Sequence, residues 1–256
     1  MELSTRFINA YNTIDSALKE QNDLKRSLSY TESIRKAART NAIVRKYEED
    51  LITFGRLRNA IVHSANENFI IAEPHLDVVE EYEKIAKLIS APPLAFNTEV
   101  CKKQVTTISG DMKVGDVFEF LYKTGYSNVP VYNEEMLVGV ANGKKLANII
   151  GKKIYEKVDL NDFFKNKTIG EVLKEATADN YYTIANEKVT LDVVLNLFNE
   201  NRKLLVVLIT KGGSLLQPPI GIITQADILD INKVLDDYSS NISWQLNQKI
   251  YTIYVY

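Results

Sequence analysis

The sequence repeats itself, and this constrains the fold more than any other feature of the chain. Thr107-Ile108 recurs as Thr183-Ile184, Asp116-Val117 as Asp192-Val193 and Leu121 as Leu197, all at one constant separation. Tyr126-Ser127-Asn128-Val129-Pro130-Val131 aligns with Arg202-Lys203-Leu204-Leu205-Val206-Val207 at that same separation. Leu137-Val138-Gly139-Val140 then pairs with Pro219-Ile220-Gly221-Ile222 at a wider one, which places six extra residues in the polar loop from Thr210 to Gln217. Insertions in such loops cost little. Each copy reads strand, helix, strand, strand, helix, and a further helix over Lys167–Lys174 leads into the second copy.

The most informative stretch lies near the end of the second copy, at Pro218–Leu229 (PPIGIITQADIL). Ile220–Ile223 is an apolar run short enough for a buried strand, and Ala226–Leu235 reads as a helix. A strand, a hydroxyl at Thr224, a helix start and a carboxylate at Asp227 are the parts of a nucleotide seat. Backbone N–H groups at a helix start favour phosphate, and a carboxylate accepts hydrogen bonds from ribose hydroxyls. Thr-x-x-Asp is also close to a capping box, in which the same two side chains satisfy backbone donors instead. The residues alone allow both readings.

The tandem pattern, with Gly221-Ile222-Ile223-Thr224-Gln225-Ala226-Asp227, resembles the CBS-domain pair over about residues 98–238, with motifs at about 98–152 and 168–238. The resemblance implies a two-fold disc with two clefts for adenosine ligands such as AMP, ADP, ATP or S-adenosylmethionine. It implies that Asp227 holds the ribose, that Thr224 faces ribose or phosphate, and that Arg202 and Lys203 face phosphates. Thr106, Thr107, Tyr126 and Ser127 become the walls around the base. The first copy departs from the pattern, because Asn142 replaces the Thr and Lys145 the Asp. An ammonium only donates and cannot accept from ribose hydroxyls, so one nucleotide per chain is expected, in the Asp227 cleft. The nucleotide is expected as a regulatory ligand, with no catalytic cofactor and no metal.

Residues 1–93 carry helical rather than strand periodicity and predict a small helical bundle closed by Ala91-Pro92-Pro93. Phe7, Ile8, Tyr11, Ile14 and Leu18 recur at helical spacing, as do residues from Ile34 to Tyr47, Leu51 to Val62 and Leu76 to Ile89. Pro74 suits the first turn of the last helix, and His75 reads as a surface or capping residue. The predicted class is α+β, with this bundle followed by the βαββα repeats. Arg58, Asn59 and His63 resemble the R-x4-6-H signature of HEPN domains, helical bundles that dimerise and that in many cases cut RNA without a metal. By that resemblance His63 would act as general base and Arg58 would neutralise the phosphorane, with Asn59 orienting the pair. Residues five apart on a helix are about 140° apart around the axis, however, so Arg58 and His63 do not share a face. The stronger expectation is a non-catalytic homodimerisation bundle controlled by a nucleotide sensor; a nucleotide-gated ribonuclease acting on RNA is the alternative.

Composition narrows the partners. A formal net charge of −2 over 256 residues gives no global attraction to nucleic acid. Cys101 is the only cysteine, which excludes an internal disulfide and fits a reducing compartment. No apolar run approaches the ~20 residues that span a bilayer, and no signal-type segment opens the chain, so a cytoplasmic protein without a membrane partner is expected. Residues 239–256 form a polar stretch around Trp244 and a β-prone aromatic tail, KIYTIYVY, expected to dock on a sheet edge or a partner chain.

Overall fold

The computed structural model describes residues 2–64, 73–175 and 180–238, without the side chains of residues 63 and 64. Trp244 and the aromatic tail lie outside the described residues. The chain divides into two compact units. The first takes in the described residues up to Leu94, Thr190–Leu197, and those from Ile228 onward; the second is Ala95–Val189 with Phe198–Asp227.

The first unit is helical: α1 (Leu3–Gln21), α2 (Tyr30–Ala37), α3 (Ala42–Lys46), α4 (Glu48–Ser64) and α5 (Leu76–Ser90). Helix α1 packs chiefly on α5. It turns Phe7, Ala10, Ile14 and Leu18 inward, as its 3.6-residue period requires. The apolar period from Ile34 to Tyr47 is two helices rather than one, and the polar residues between them explain the break. Asn41 caps α3, its Oδ1 accepting from Ile43 N (2.9 Å) and Val44 N (3.1 Å). Arg45 Nε donates to Ala38 O at 2.8 Å, taking up a carbonyl left over at the end of α2. Pro74 stands just outside α5, whose N-cap residue is His75, with no capping hydrogen bond from its side chain. Residues 228–238 are helical and belong to this unit, with Ile231 and Leu235 buried, Lys46 Nζ 2.6 Å from Asp236 Oδ1, and Tyr238 Oη donating to Ala91 O at 3.3 Å.

Inside the bundle, Phe7, Phe54 and Tyr82 pack ring against ring, and Tyr30 and Tyr82 share a buried hydrogen bond of 2.7 Å. Burial pushes both phenols well above the usual tyrosine range. The folded state therefore holds their protons more tightly than the unfolded chain does. The stabilisation is fully present below the ordinary tyrosine value of about 10 and is lost as pH rises above it. Chemical denaturation followed across pH should show stability falling steeply above about pH 10. Tyr30→Phe should cost about 1 kcal/mol at neutral pH, the scale of one hydrogen bond, and make the alkaline fall shallower.

The second unit holds two three-stranded sheets of the same topology. In the first, β1 (Ile108–Ser109) pairs in parallel with β2 (Asn128–Asn133), which pairs antiparallel with β3 (Met136–Asn142). Helix α6 (Val114–Thr124) forms the crossover, and α7 (Gly143–Tyr155), α8 (Leu160–Asn166) and α9 (Ile169–Glu175) follow. In the second, β4 (Tyr182–Asn186), β5 (Val206–Thr210) and β6 (Pro219–Thr224) repeat the order; α10 (Leu191–Glu200) follows β4 in the chain, with its residues up to Leu197 belonging to the first unit.

Strand alternation divides the core between two faces. Val129 and Val131 pack with Val117, Leu146 and Ile169 of the helices. Tyr132, Leu137 and Val140 pack instead against Val206, Leu208 and Ile222 of the second sheet and Tyr181 just ahead of β4. The strand register also corrects the repeat alignment. Gly139 pairs with Val131, whereas Gly221 pairs with Ile209 rather than Val207. Two of the extra residues therefore sit between α10 and β5, where 201–205 replaces the shorter 125–127, and only the rest lengthen the β5–β6 loop. Gly125 makes the shorter connection feasible by adopting φ +69° at the end of α6.

Gly221 answers to packing rather than to φ. A Cβ at this position would be driven into Cys101 Sγ and would lie 3.4 Å from the Phe96 ring. Gly221→Ala should therefore destabilise the protein by roughly 1–3 kcal/mol in urea titration, as overpacking does. Gly143→Ala, with nothing within 4 Å of the added carbon, serves as the control expected to leave stability nearly unchanged.

Candidate functional site

The absence of a side chain at Gly221 lets the segment around Cys101 lie directly on β6. Lys102 N donates to Ile222 O (3.1 Å), and Ile222 N donates back to Lys102 O (3.0 Å), a one-residue antiparallel bridge at the edge of the second sheet. Burial pushes the Cys101 thiol up from its usual range, as expected for a packing residue. This segment, the end of β6 and the approaches to β1 and β2 enclose a cleft of about 790 Å3.

Four of the residues singled out from the sequence line this one cleft. Thr106 stands on the run into β1, Tyr126 and Ser127 in the turn before β2, and Thr224 at the end of β6 on the other side. Thr107 is exposed beside Thr106 but is not part of the lining. Asp227, 8% exposed, stands at the end of the 3-10 turn Gln225–Asp227. Its Oδ2 accepts from both Thr224 N and Thr224 Oγ1 at 2.7 Å. Its Oδ1 lies 3.5 Å from Lys102 Nζ. The capping and ligand readings of Thr224 and Asp227 thus fall on different carboxylate oxygens: one is committed to the turn, and the other faces an exposed ammonium 3.5 Å away.

Arg202 and Lys203 do not join this cleft. They are exposed in the turn ahead of β5, within the longer connection, and the register places Leu204 and Leu205 where the first copy has Tyr126 and Ser127. The lysines that do line the cleft are Lys102 and Lys103. Their signal was visible as an adjacent basic pair just ahead of the first strand, but they fall outside the repeated segments that guided the alignment.

The first copy's motif is built differently. Asn142 Oδ1 caps α7 by accepting from Lys145 N (2.9 Å), and its Nδ2 donates to Asn128 Oδ1 (2.7 Å). Lys145 Nζ sits 5.3 Å from the centre of the Tyr181 ring. Tyr181 is 8% exposed, and its hydroxyl donates to Val140 O at 2.6 Å. Where the second copy offers a carboxylate oxygen, the first offers an ammonium over a buried phenol.

In the helical unit, Arg58 lies over the Tyr11 ring with its Cζ 4.9 Å from the ring centre, and its buried Nε has no hydrogen-bond partner among the described residues. Its Nη1 donates to Asn59 Oδ1 at 3.4 Å. His63 belongs to α4, but its side chain lies outside the described residues. Among the described residues no group of three or more His, Cys, Asp or Glu is placed to hold a metal ion, and no helix is long and apolar enough to cross a membrane.

No curated protein matches the sequence. Among solved structures, the CBS domain of a bacterial CNNM/CorC family Mg2+ transporter in complex with ATP is 18% identical, covering 59% of this chain and 94% of that one, with a TM-score of 0.42. CBSX2 in complex with AMP is 16% identical, covering 56% and 98%, with a TM-score of 0.41. A CBS domain pair in complex with 5′-methylthioadenosine and S-adenosyl-L-methionine is 18% identical, covering 52% and 96%, with a TM-score of 0.39. The family model described as CBS domain matches residues 98–151, the stretch that supplies Thr106, Tyr126, Ser127 and the two lysines to the cleft. The chain therefore carries a CBS domain at residues 98–151.

Proposed function

We propose that the protein is an adenine-nucleotide-sensing regulator, in which a CBS pair over residues 98–238 binds AMP, ADP or ATP and controls the N-terminal helical domain. The observation that carries this reading is the single cleft lined by Thr224 together with Thr106, Tyr126 and Ser127, with Asp227 directly behind Thr224. A hydroxyl, an accepting carboxylate oxygen and an aromatic ring are the groups that ribose and a base call for. The chain supplies a route from ligand to output. Asp227 is the last residue of the second unit, and Ile228 begins the helical stretch that belongs to the first. A ligand that reorients the Asp227 carboxylate acts on the first turn of that stretch. The helical domain is the dimerisation element in this scheme, and the protein works as a cytoplasmic homodimer.

The ribonuclease alternative rests on Arg58, Asn59 and His63. Arg58 packed on Tyr11 with a buried Nε favours a role in holding α4 to α1, so catalysis of RNA cleavage is not adopted.

Calorimetry on the full chain with AMP, ADP, ATP and S-adenosylmethionine tests the proposal. One nucleotide should bind per chain. Asp227→Ala should cost about 1.5–3 kcal/mol of affinity, the range for hydrogen bonds to charged groups, and Lys145→Ala much less. Absence of binding by all four compounds would remove the reading.

A further inference from the structure

The cleft contains a charge pair that the signature Gly221–Asp227 does not account for. Lys102 is fixed beside β6 by its two backbone hydrogen bonds to Ile222, so the origin of its side chain is set by the sheet. Its ammonium reaches Asp227 Oδ1 at 3.5 Å while the side chain remains 65% exposed, which makes for a weak pair on a mobile stem. Lys103 lines the same cleft, with its Nζ 5.1 Å from the centre of the Phe96 ring, and Glu99 is the carboxylate among the lining residues.

Asp227 can offer a ribose only one oxygen, because Oδ2 is taken by Thr224 N and Oγ1. The remaining oxygen faces Lys102. A ribose hydroxyl that binds Oδ1 competes with the ammonium for that oxygen, and a cation drawn off it stays within a side chain's reach of the ligand. A 5′-phosphate gives it a new anionic partner. A neutral nucleoside gives it none, and a sulfonium adds like charge. We propose that Lys102 is the phosphate-binding, specificity-determining residue of this cleft, leaving Asp227 Oδ1 for the nucleotide's phosphate as the ribose takes its place. The proposal rests on the nucleotide reading above and names the ligand class within it: phosphorylated adenosine, in preference to adenosine or S-adenosylmethionine.

Calorimetry on the full chain with adenosine, AMP, ATP and S-adenosylmethionine, for the parent, Lys102→Met and Lys102→Arg, separates the possibilities. Lys102 is well exposed, and its backbone bridge survives either substitution, so both variants should keep the parent's melting temperature. The parent should bind AMP and ATP more tightly than adenosine. Lys102→Met should lose about ten-fold or more in affinity for the phosphorylated ligands. It should bind adenosine at least as well as the parent, because Oδ1 is then free. Lys102→Arg should restore the phosphate preference, and the preference should weaken with added salt. A Lys102→Met protein that binds AMP and ATP as the parent does overturns the proposal and leaves the nucleotide reading standing. A parent that binds none of the four overturns both.

Discussion

The second unit depends on one contact, the burial of two sheet faces from the two halves of a repeat against each other. Tyr132, Leu137 and Val140 on one side and Tyr181, Val206, Leu208 and Ile222 on the other come from segments far apart in sequence. Neither three-stranded sheet could bury this face alone. At about 25 cal/mol per Å2 of apolar surface, such burial is the main favourable contribution available to so small a sheet. The contact also has a functional result. Holding the sheets face to face brings the end of β6 opposite the approaches to β1 and β2, so the cleft is a by-product of the core.

Duplication would make two such clefts, and this chain treats its two copies differently. In the second copy, Thr224 and Asp227 leave an oxygen available beside an open volume. In the first, Asn142 spends both ends of its amide on local partners, and Lys145 lies over a tyrosine ring. A polar asparagine with every group satisfied and a lysine on an aromatic face are stabilising arrangements. The first copy thus keeps the shape of the motif while its side chains serve the fold.

Much of this was legible from the sequence, because repetition and alternation are direct consequences of sheet geometry. The order of strands and helices follows from the repeat and its alternation, whereas the meeting of Thr106, Tyr126, Ser127 and Thr224 was implied only by the resemblance to the CBS-domain pair. What was not legible turns on connections. Arg202 and Lys203 looked equivalent to Tyr126 and Ser127 because an ungapped alignment hides two residues inserted before β5, and only the pairing of Gly221 with Ile209 reveals them. Lys102 escaped notice because its position depends on a backbone bridge between segments more than a hundred residues apart, which no local pattern encodes. In the helical unit, the break between α2 and α3 was hidden because apolar spacing continued across it while Asn41 and Arg45 ended one helix and began another.

The division of the chain has a consequence for how its two units can be exchanged or inherited. Between its two units the chain passes four times: after Leu94, Val189, Leu197 and Asp227. A module joined to its neighbour by one linker can be moved by a single recombination. Here a fragment cut at the prolines after Ala91 would carry away the helical stretch 228–238, whose Ile231 and Leu235 are buried in the other unit. It would leave a matching apolar surface uncovered on the part left behind. The two units are therefore constrained to be inherited together, and a graft of this cleft onto another protein has to bring a new partner for that stretch with it.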